Sequence, residues 1–146
     1  MIRRLATAVI ATAVLCLPIP VPAAAASDWP AAQTYLAVPG CTGSDSACEA
    51  LRQSWSATYT AATTGDYQAQ RNVAYCLSDG CKGSVAVNRQ LACAWRLVIA
   101  ESGHLTADDT DLANIRTYCG PAFVDQAGQA LAKAQAVRML EMLGRR

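Results

Sequence analysis

A small all-α domain stapled by disulfides is the fold class this chain predicts, on three observations. Residues 65–103, GDYQAQRNVAYCLSDGCKGSVAVNRQLACAWRLVIAESG, carry apolar side chains at helical spacing on both sides of a Gly/Cys-rich turn. Six cysteines follow an N-terminus built like an export signal. The stretch from about Val124 to Leu143 is rich in Ala, Leu, Gln, Lys and Met, all good helix formers.

The N-terminal MIRRLATAVIATAVLCLPIPVPAAAAS sets Arg3 and Arg4 before an apolar core from Leu5 to Leu17, followed by prolines and a run of alanines. That order is the order of a secretory signal peptide. The core is too short to span a bilayer comfortably, so no stable membrane anchor is expected once the signal is cleaved. Ala24 and Ala26 satisfy the small-residue rule for cleavage before Ser27, which assigns residues 1–26 to the signal. Leu15 ahead of Cys16 is a poor fit to the small residue that lipidation needs, so Cys16 is expected to leave with the signal.

Without residues 1–26 the chain has 120 residues, enough for one compact domain. It also has 10 Lys+Arg against 11 Asp+Glu. With no basic stripe to neutralise phosphates, and no aromatics interleaved with Lys or Arg, nothing in it suits nucleic acid. The expected organisation is an irregular strap over 27–47 and a helical domain over 48–146.

In the strap, Pro30, Pro39, Gly40 and Gly43 break any sustained period, leaving room for a short helix near Ala31 to Ala37. Trp29, Tyr35 and Leu36 are large apolar groups expected to lie on the helical core. From Cys48 to about Thr63, Leu51, Trp55 and either Thr58 or Tyr59 share a face, and Glu49 suits the first turn. Thr60, Thr63 and Thr64 weaken the end of this helix, which is expected to pack on the next one.

The central pair begins at Gly65 and Asp66, where the aspartate can cap the entering helix. Its first limb puts Ala69, Val73, Cys76 and Leu77 on one buried face. Gly80 and Gly83 let the chain reverse. Asn88 is the expected cap of the second limb, with Ala92, Trp95 and Ile99 on one face, widened by Leu91 and Val98, and Gly103 as the stop. Small Ala69, Ala74, Ala92 and Ala94 allow close approach of the two axes, with Trp95 filling the wedge.

On these residues the stretch resembles one Sel1-like repeat, a helix-turn-helix unit of the tetratricopeptide kind, over about 39 of 146 residues. The matching positions are Gly65, Asp66, Ala69, Gln70, Asn72, Val73 and Ala74 in the first helix, Gly80 and Gly83 in the turn, and Ala92, Trp95, Ala100 and Gly103 in the second. One copy is visible, and its turn carries Cys76 and Cys81. The resemblance implies a non-enzymatic protein-protein interaction module in a bacterial envelope or exterior, whose partner is another envelope or extracellular protein. Cysteine-rich secreted members of that family imply an alternative, a penicillin- or cell-wall-binding protein or enzyme.

The six cysteines are Cys41, Cys48, Cys76, Cys81, Cys93 and Cys119. An even number behind a signal implies an oxidising compartment and three disulfides, although sequence alone does not choose among the pairings. Loop geometry favours Cys41 with Cys48 across the flexible TGSDSA, and Cys76 with Cys81 across LSDG at the chain reversal. That leaves Cys93 on the second limb for Cys119. Zinc-ligand spacing is absent, with no C-x-x-C pair and a single histidine, His104, so no metal is expected.

Beyond Gly103, Asp108, Asp109 and Asp111 suit a helix N-terminus, ahead of Leu112, Ile115 and Cys119 on one face. Capping accounts for all three carboxylates without a catalytic role. Gly120 and Pro121 then separate that helix from the last. There Phe123, Ala127, Ala130, Ala134 and Val137 recur at helical spacing as the expected core face, while Gln126, Gln129 and Lys133 mark the wet one. Arg145–Arg146 complement the helix C-terminus.

The sequence offers no candidate catalytic residue and no cofactor motif. His104 follows a helix end with no neighbouring Ser or Cys to form a dyad, so a solvated or capping role is expected. No Ser-x-x-Lys, Gly-x-Ser-x-Gly, Gly-x-x-x-x-Gly-Lys-Ser/Thr or His-Glu-x-x-His occurs. Arg96, next to Trp95, is expected to leave the buried face and remain solvated.

Overall fold

Asp45 opens the first helix by accepting from the Ala47 and Cys48 amides at 3.0 and 3.1 Å, two of the donors that a helix start leaves free. The computed structural model describes residues 28–144, so the expected signal over 1–26, Cys16 and Arg145–Arg146 lie outside the described residues. Helix α1 runs Ser46–Thr63, starting two residues before Cys48 because its cap sits inside the Gly/Ser-rich loop. Thr63 and Thr64 turn their hydroxyls back onto carbonyls of Thr60 and Ala61, a side-chain competition that accompanies the helix end. Gly65 then turns the chain at φ +98°, and Asp66 accepts from the Ala69 amide at 2.7 Å to start α2, Tyr67–Asp79.

Helix α2 stops on Gly80, whose φ of +85° and whose neighbour, a Val87 methyl 3.2 Å from where a Cβ would stand, both favour glycine. Asn88 caps α3, Arg89–Glu101, by accepting from the Leu91 amide at 3.0 Å. Asp108 and Asp111 form a reciprocal capping box at the start of α4, Asp109–Tyr118. Asp125 accepts from the Gly128 amide at 2.7 Å at the start of α5, Gln126–Gly144. Two short 3-10 turns, Ala32–Tyr35 and Cys81–Gly83, complete the order. Among the described residues, the extended pairing is a single antiparallel bridge between Leu36 and Val85, so the domain is all-α.

Helix α3 is central, lying against α2, α4 and α5, while α1 packs on α2. The alanines expected to permit close approach, Ala69, Ala74, Ala92 and Ala94, are all buried, with Val73, Leu77, Val98 and Ile99 around them. Trp95 fills the space between the helices at 1% exposure.

The strap lies on this core as expected. Trp29 stacks on Trp95 with ring centroids 5.4 Å apart and planes 14° from parallel, and Tyr35 reaches Trp55 and Tyr59. Trp55 Nε1 donates to the Ala32 carbonyl at 2.8 Å, so the indole is satisfied in the interior and anchors the strap to α1. Backbone bonds from Ala37 to Ser84 and from Ala86 to Tyr35 hold the strap to the segment after the α2 turn.

Three disulfides close the fold in the pairing that loop geometry favoured: Cys41–Cys48, Cys76–Cys81 and Cys93–Cys119. The first ties the strap to α1, the second locks the α2 turn, and the third joins α3 to the end of α4.

Burial, and then a hydrogen bond with Tyr35, push the Tyr59 hydroxyl far above its ordinary pKa of 10.0. A pKa raised on folding gives stability that is whole below the unfolded value and is lost as pH rises past it. Helicity followed by circular dichroism is expected to fall above about pH 10. In Tyr59→Phe that alkaline loss, relative to the variant's own stability at neutral pH, is expected to be smaller.

Two expected faces are corrected. On α5 the core side chains are Ala132, Ala136 and Met139, whereas Ala127, Ala130 and Ala134 are exposed and Val137 is 53% exposed. Phe123, just ahead of the helix, is half-buried. Alanine occurs all round this helix, so the apolar period alone does not select a face; the observed one sets small Ala132 and Ala136 where α5 meets α3. Gln129 is likewise half-buried, donating to the Val124 carbonyl. On α4, Leu112 is 49% exposed and Asp111 is buried, because Asp111 has partners on α2 that draw it inward.

Candidate functional site

The buried face of α2 leaves a polar stripe on its other side, with Gln68, Arg71, Asn72 and Tyr75 spaced three, four and seven residues apart. Helix α4 presents Asn114 and Tyr118 towards it, and Arg96 of α3 lies between. Together they line a cleft of about 360 Å³. Asn72, one of the repeat positions, is therefore a surface residue of this stripe and not part of the core, since its amide oxygen accepts from Gln68 Nε2 at 3.1 Å.

The two walls are tied together by Asp111. It accepts from the Tyr67 hydroxyl at 2.6 Å and pairs with Arg71 Nε at 3.4 Å, while Arg71 Nη1 donates to the Tyr67 oxygen at 3.1 Å. The bond to Asp111 holds the Tyr67 phenol above its ordinary pKa, because ionising it would set two negative charges together. Arg71 is partly exposed and its pairing is screened, but Asp111 has 6% side-chain exposure, so it needs these partners.

Arg96 departs most from expectation. It is 6% exposed instead of solvated, and its guanidinium lies over the Tyr118 ring, 4.0 Å from the centroid. Nη2 donates to the Ser78 hydroxyl at 3.2 Å, whose own proton goes to the Ala74 carbonyl. Nε is buried without a hydrogen-bond partner, and among the described residues Arg96 makes no ion pair. Burial pushes its pKa below the usual arginine range, against the pull of Tyr118 and Asp111. A guanidinium does not give up its proton at accessible pH, so the charge remains.

Asn72 and Tyr75 also line a second depression of about 310 Å³, with Leu51, Trp55 and Thr58 of α1 and Lys82 near the Cys76–Cys81 bond. Tyr75 is 52% exposed and is shared by the two hollows, one rich in arginine and amide groups, the other walled in part by apolar side chains. The charge of nearby Asp79 raises its phenol pKa. A third depression, about 370 Å³, lies over the aromatic core between Trp29, Tyr59 and Met139; its walls are largely side chains that already pack the interior.

His104 is half-buried and serves the back of α2. Its Nε2 lies 2.9 Å from Gln70 Oε1, and the imidazole is 5.2 Å from the Tyr67 ring. Gln70 is itself fully buried and donates its Nε2 to the Ala62 carbonyl at 3.2 Å, so Oε1 is the acceptor and the imidazole carries its proton on Nε2. Among the described residues, no three His, Cys, Asp or Glu side chains gather as a metal-ligand set.

Of the expected repeat-core positions, Ala69, Val73, Gly80, Ala92, Trp95 and Ile99 are buried. Of the residues that line the cleft, Asn72 was among the repeat positions, whereas Gln68, Arg71, Tyr75, Asn114, Tyr118 and, in its true setting, Arg96 were passed over. A signal for Arg96 was present, because it interrupts the otherwise apolar run LACAWRLVIA. Compared with protein families, curated proteins and solved structures, the chain matches none of them.

Proposed function

We propose that this chain is an exported, non-enzymatic interaction module of the Sel1-like kind, which offers the outer face of α2 to a segment of another envelope or extracellular protein. The observation that carries the reading is Tyr75, a half-exposed aromatic standing between two hollows on one face. Tyrosine supplies large contact area at low entropic cost and is enriched among residues that dominate binding energy. The α2–α3 hairpin, entered at Gly65 and packed through alanines and Trp95, supports the repeat assignment. Three disulfides fit an oxidising compartment, and among the described residues no helix is long and apolar enough to cross a membrane. The disulfides support a periplasmic or secreted location, and Ala24 and Ala26 support cleavage before Ser27.

Tyr75→Ala is expected to leave stability within about 0.5 kcal/mol of the parent, since the side chain is at the surface. It should nevertheless weaken partner binding by roughly 30-fold, the scale of an interface anchor. The check compares the two proteins as immobilised bait in envelope extract of the native organism, alongside their melting curves. A partner held by the parent and lost by the variant supports the proposal; a partner held equally by both, or none specific to the parent, contradicts it.

A further inference from the structure

We propose that the cleft between α2 and α4 binds one carboxylate, the free C-terminus of the partner segment. The inference rests on the reading of this face as the docking surface, and gives that surface its chemistry. Arg96 is its basis. Removing a guanidinium from water is costly unless acceptors or an opposite charge meet it, and Arg96 is only 6% exposed. Tyr118 supplies a ring face and Ser78 one hydroxyl oxygen, while Nε finds no acceptor and no carboxylate of the described residues pairs with the group.

The nearest counter-charge is already engaged. Asp111 pulls on Arg96 electrostatically, but its oxygens are taken by Arg71, Tyr67 and the Asp108 amide. Arg71 and Arg96 are the charged side chains that line the cleft, and Asp111 behind it pairs with Arg71, so Arg96 is the one positive charge there that no carboxylate of the described residues answers. Asp79 lines the neighbouring hollow and not this one. A carboxylate brings the single negative charge that balances the cleft, and its planar pair of oxygens suits an arginine fork. A phosphate dianion would overshoot. Gln68, Asn72 and Asn114 add neutral amide donors around the same hollow, able to orient the anion without changing the charge balance.

The test follows the Nε–Hε resonance of Arg96 in the ¹⁵N-labelled, oxidised, exported protein at fixed ionic strength. The probes are N-acetyl-trialanine with a free C-terminus, the same peptide amidated, and inorganic phosphate. The free acid is expected to shift the resonance saturably, with the amide inert and phosphate weaker. In Arg96→Gln and, independently, Arg71→Gln, binding of the free acid read from backbone amide shifts of the cleft should weaken by about tenfold or more. Arg71 is the more exposed of the two, so its variant keeps the test decisive if Arg96→Gln fails to fold. Absence of a saturable shift, equal binding of the amide, tighter binding of phosphate, or unaltered binding in both variants would each overturn the carboxylate site. Partner capture that depends on Tyr75 but is unaffected by excess free-acid peptide would overturn this inference alone. Peptide binding without any specific partner would instead count against the docking role.

Discussion

Trp95→Ala is expected to destabilise the domain by roughly 3–5 kcal/mol, the range for deleting a buried large aromatic side chain. The indole is 1% exposed, stacks on Trp29 at 5.4 Å and meets the edge-on Tyr59 ring at 6.5 Å. Alanine there opens a void bordered by the strap and the central helix. The strap would lose the surface on which Trp29 rests, so the loss extends beyond the transfer energy of one side chain. A fall in Tm of roughly 10 °C or more should follow for a domain of this size. A melting temperature equal to that of the parent would remove Trp95 from the core and the strap from its place.

Replacing Cys93 and Cys119 together by alanine is expected to cost about 3–4 kcal/mol on the chain-entropy account, against about 2 kcal/mol for either short loop. The difference arises because this bond spans 26 residues, and the other two span 7 and 5. It also fixes the far end of α4, whose start is held to α2 through Asp111. The urea midpoint of the double variant, compared with that of Cys76→Ala/Cys81→Ala, checks the order. A smaller loss for the 26-residue loop would mean that strain or residual structure, and not loop closure, sets the energetics of these bonds.

Local chemistry made much of the architecture legible. Asp66 and Asn88 cap where a short polar side chain precedes an apolar period, Gly80 adopts the left-handed turn that few other residues tolerate, and the spacing of the cysteines allowed the observed pairs to be favoured. The α5 face was not legible because alanine surrounds that helix, so its orientation depends on what α3 accepts. The burial of Asp111 and of Arg96 was missed for a related reason, although Asp111 keeps the capping place expected of it. Each is charged, and each is buried only because of partners from other helices: Tyr67 and Arg71 for the first, Tyr118 and Ser78 for the second. Such cross-helix pairings have no local period. The candidate site consists largely of them, and thus its outline emerges only once α2, α3 and α4 are set side by side.

The fold rests on its covalent links, and peptide mapping of the protein as isolated from its native organism, by mass spectrometry under non-reducing conditions with free thiols blocked beforehand, examines them directly. The account predicts no blocked thiols and three linked peptides, joining Cys41 to Cys48, Cys76 to Cys81 and Cys93 to Cys119. Six blocked thiols, or any other pairing, would contradict it.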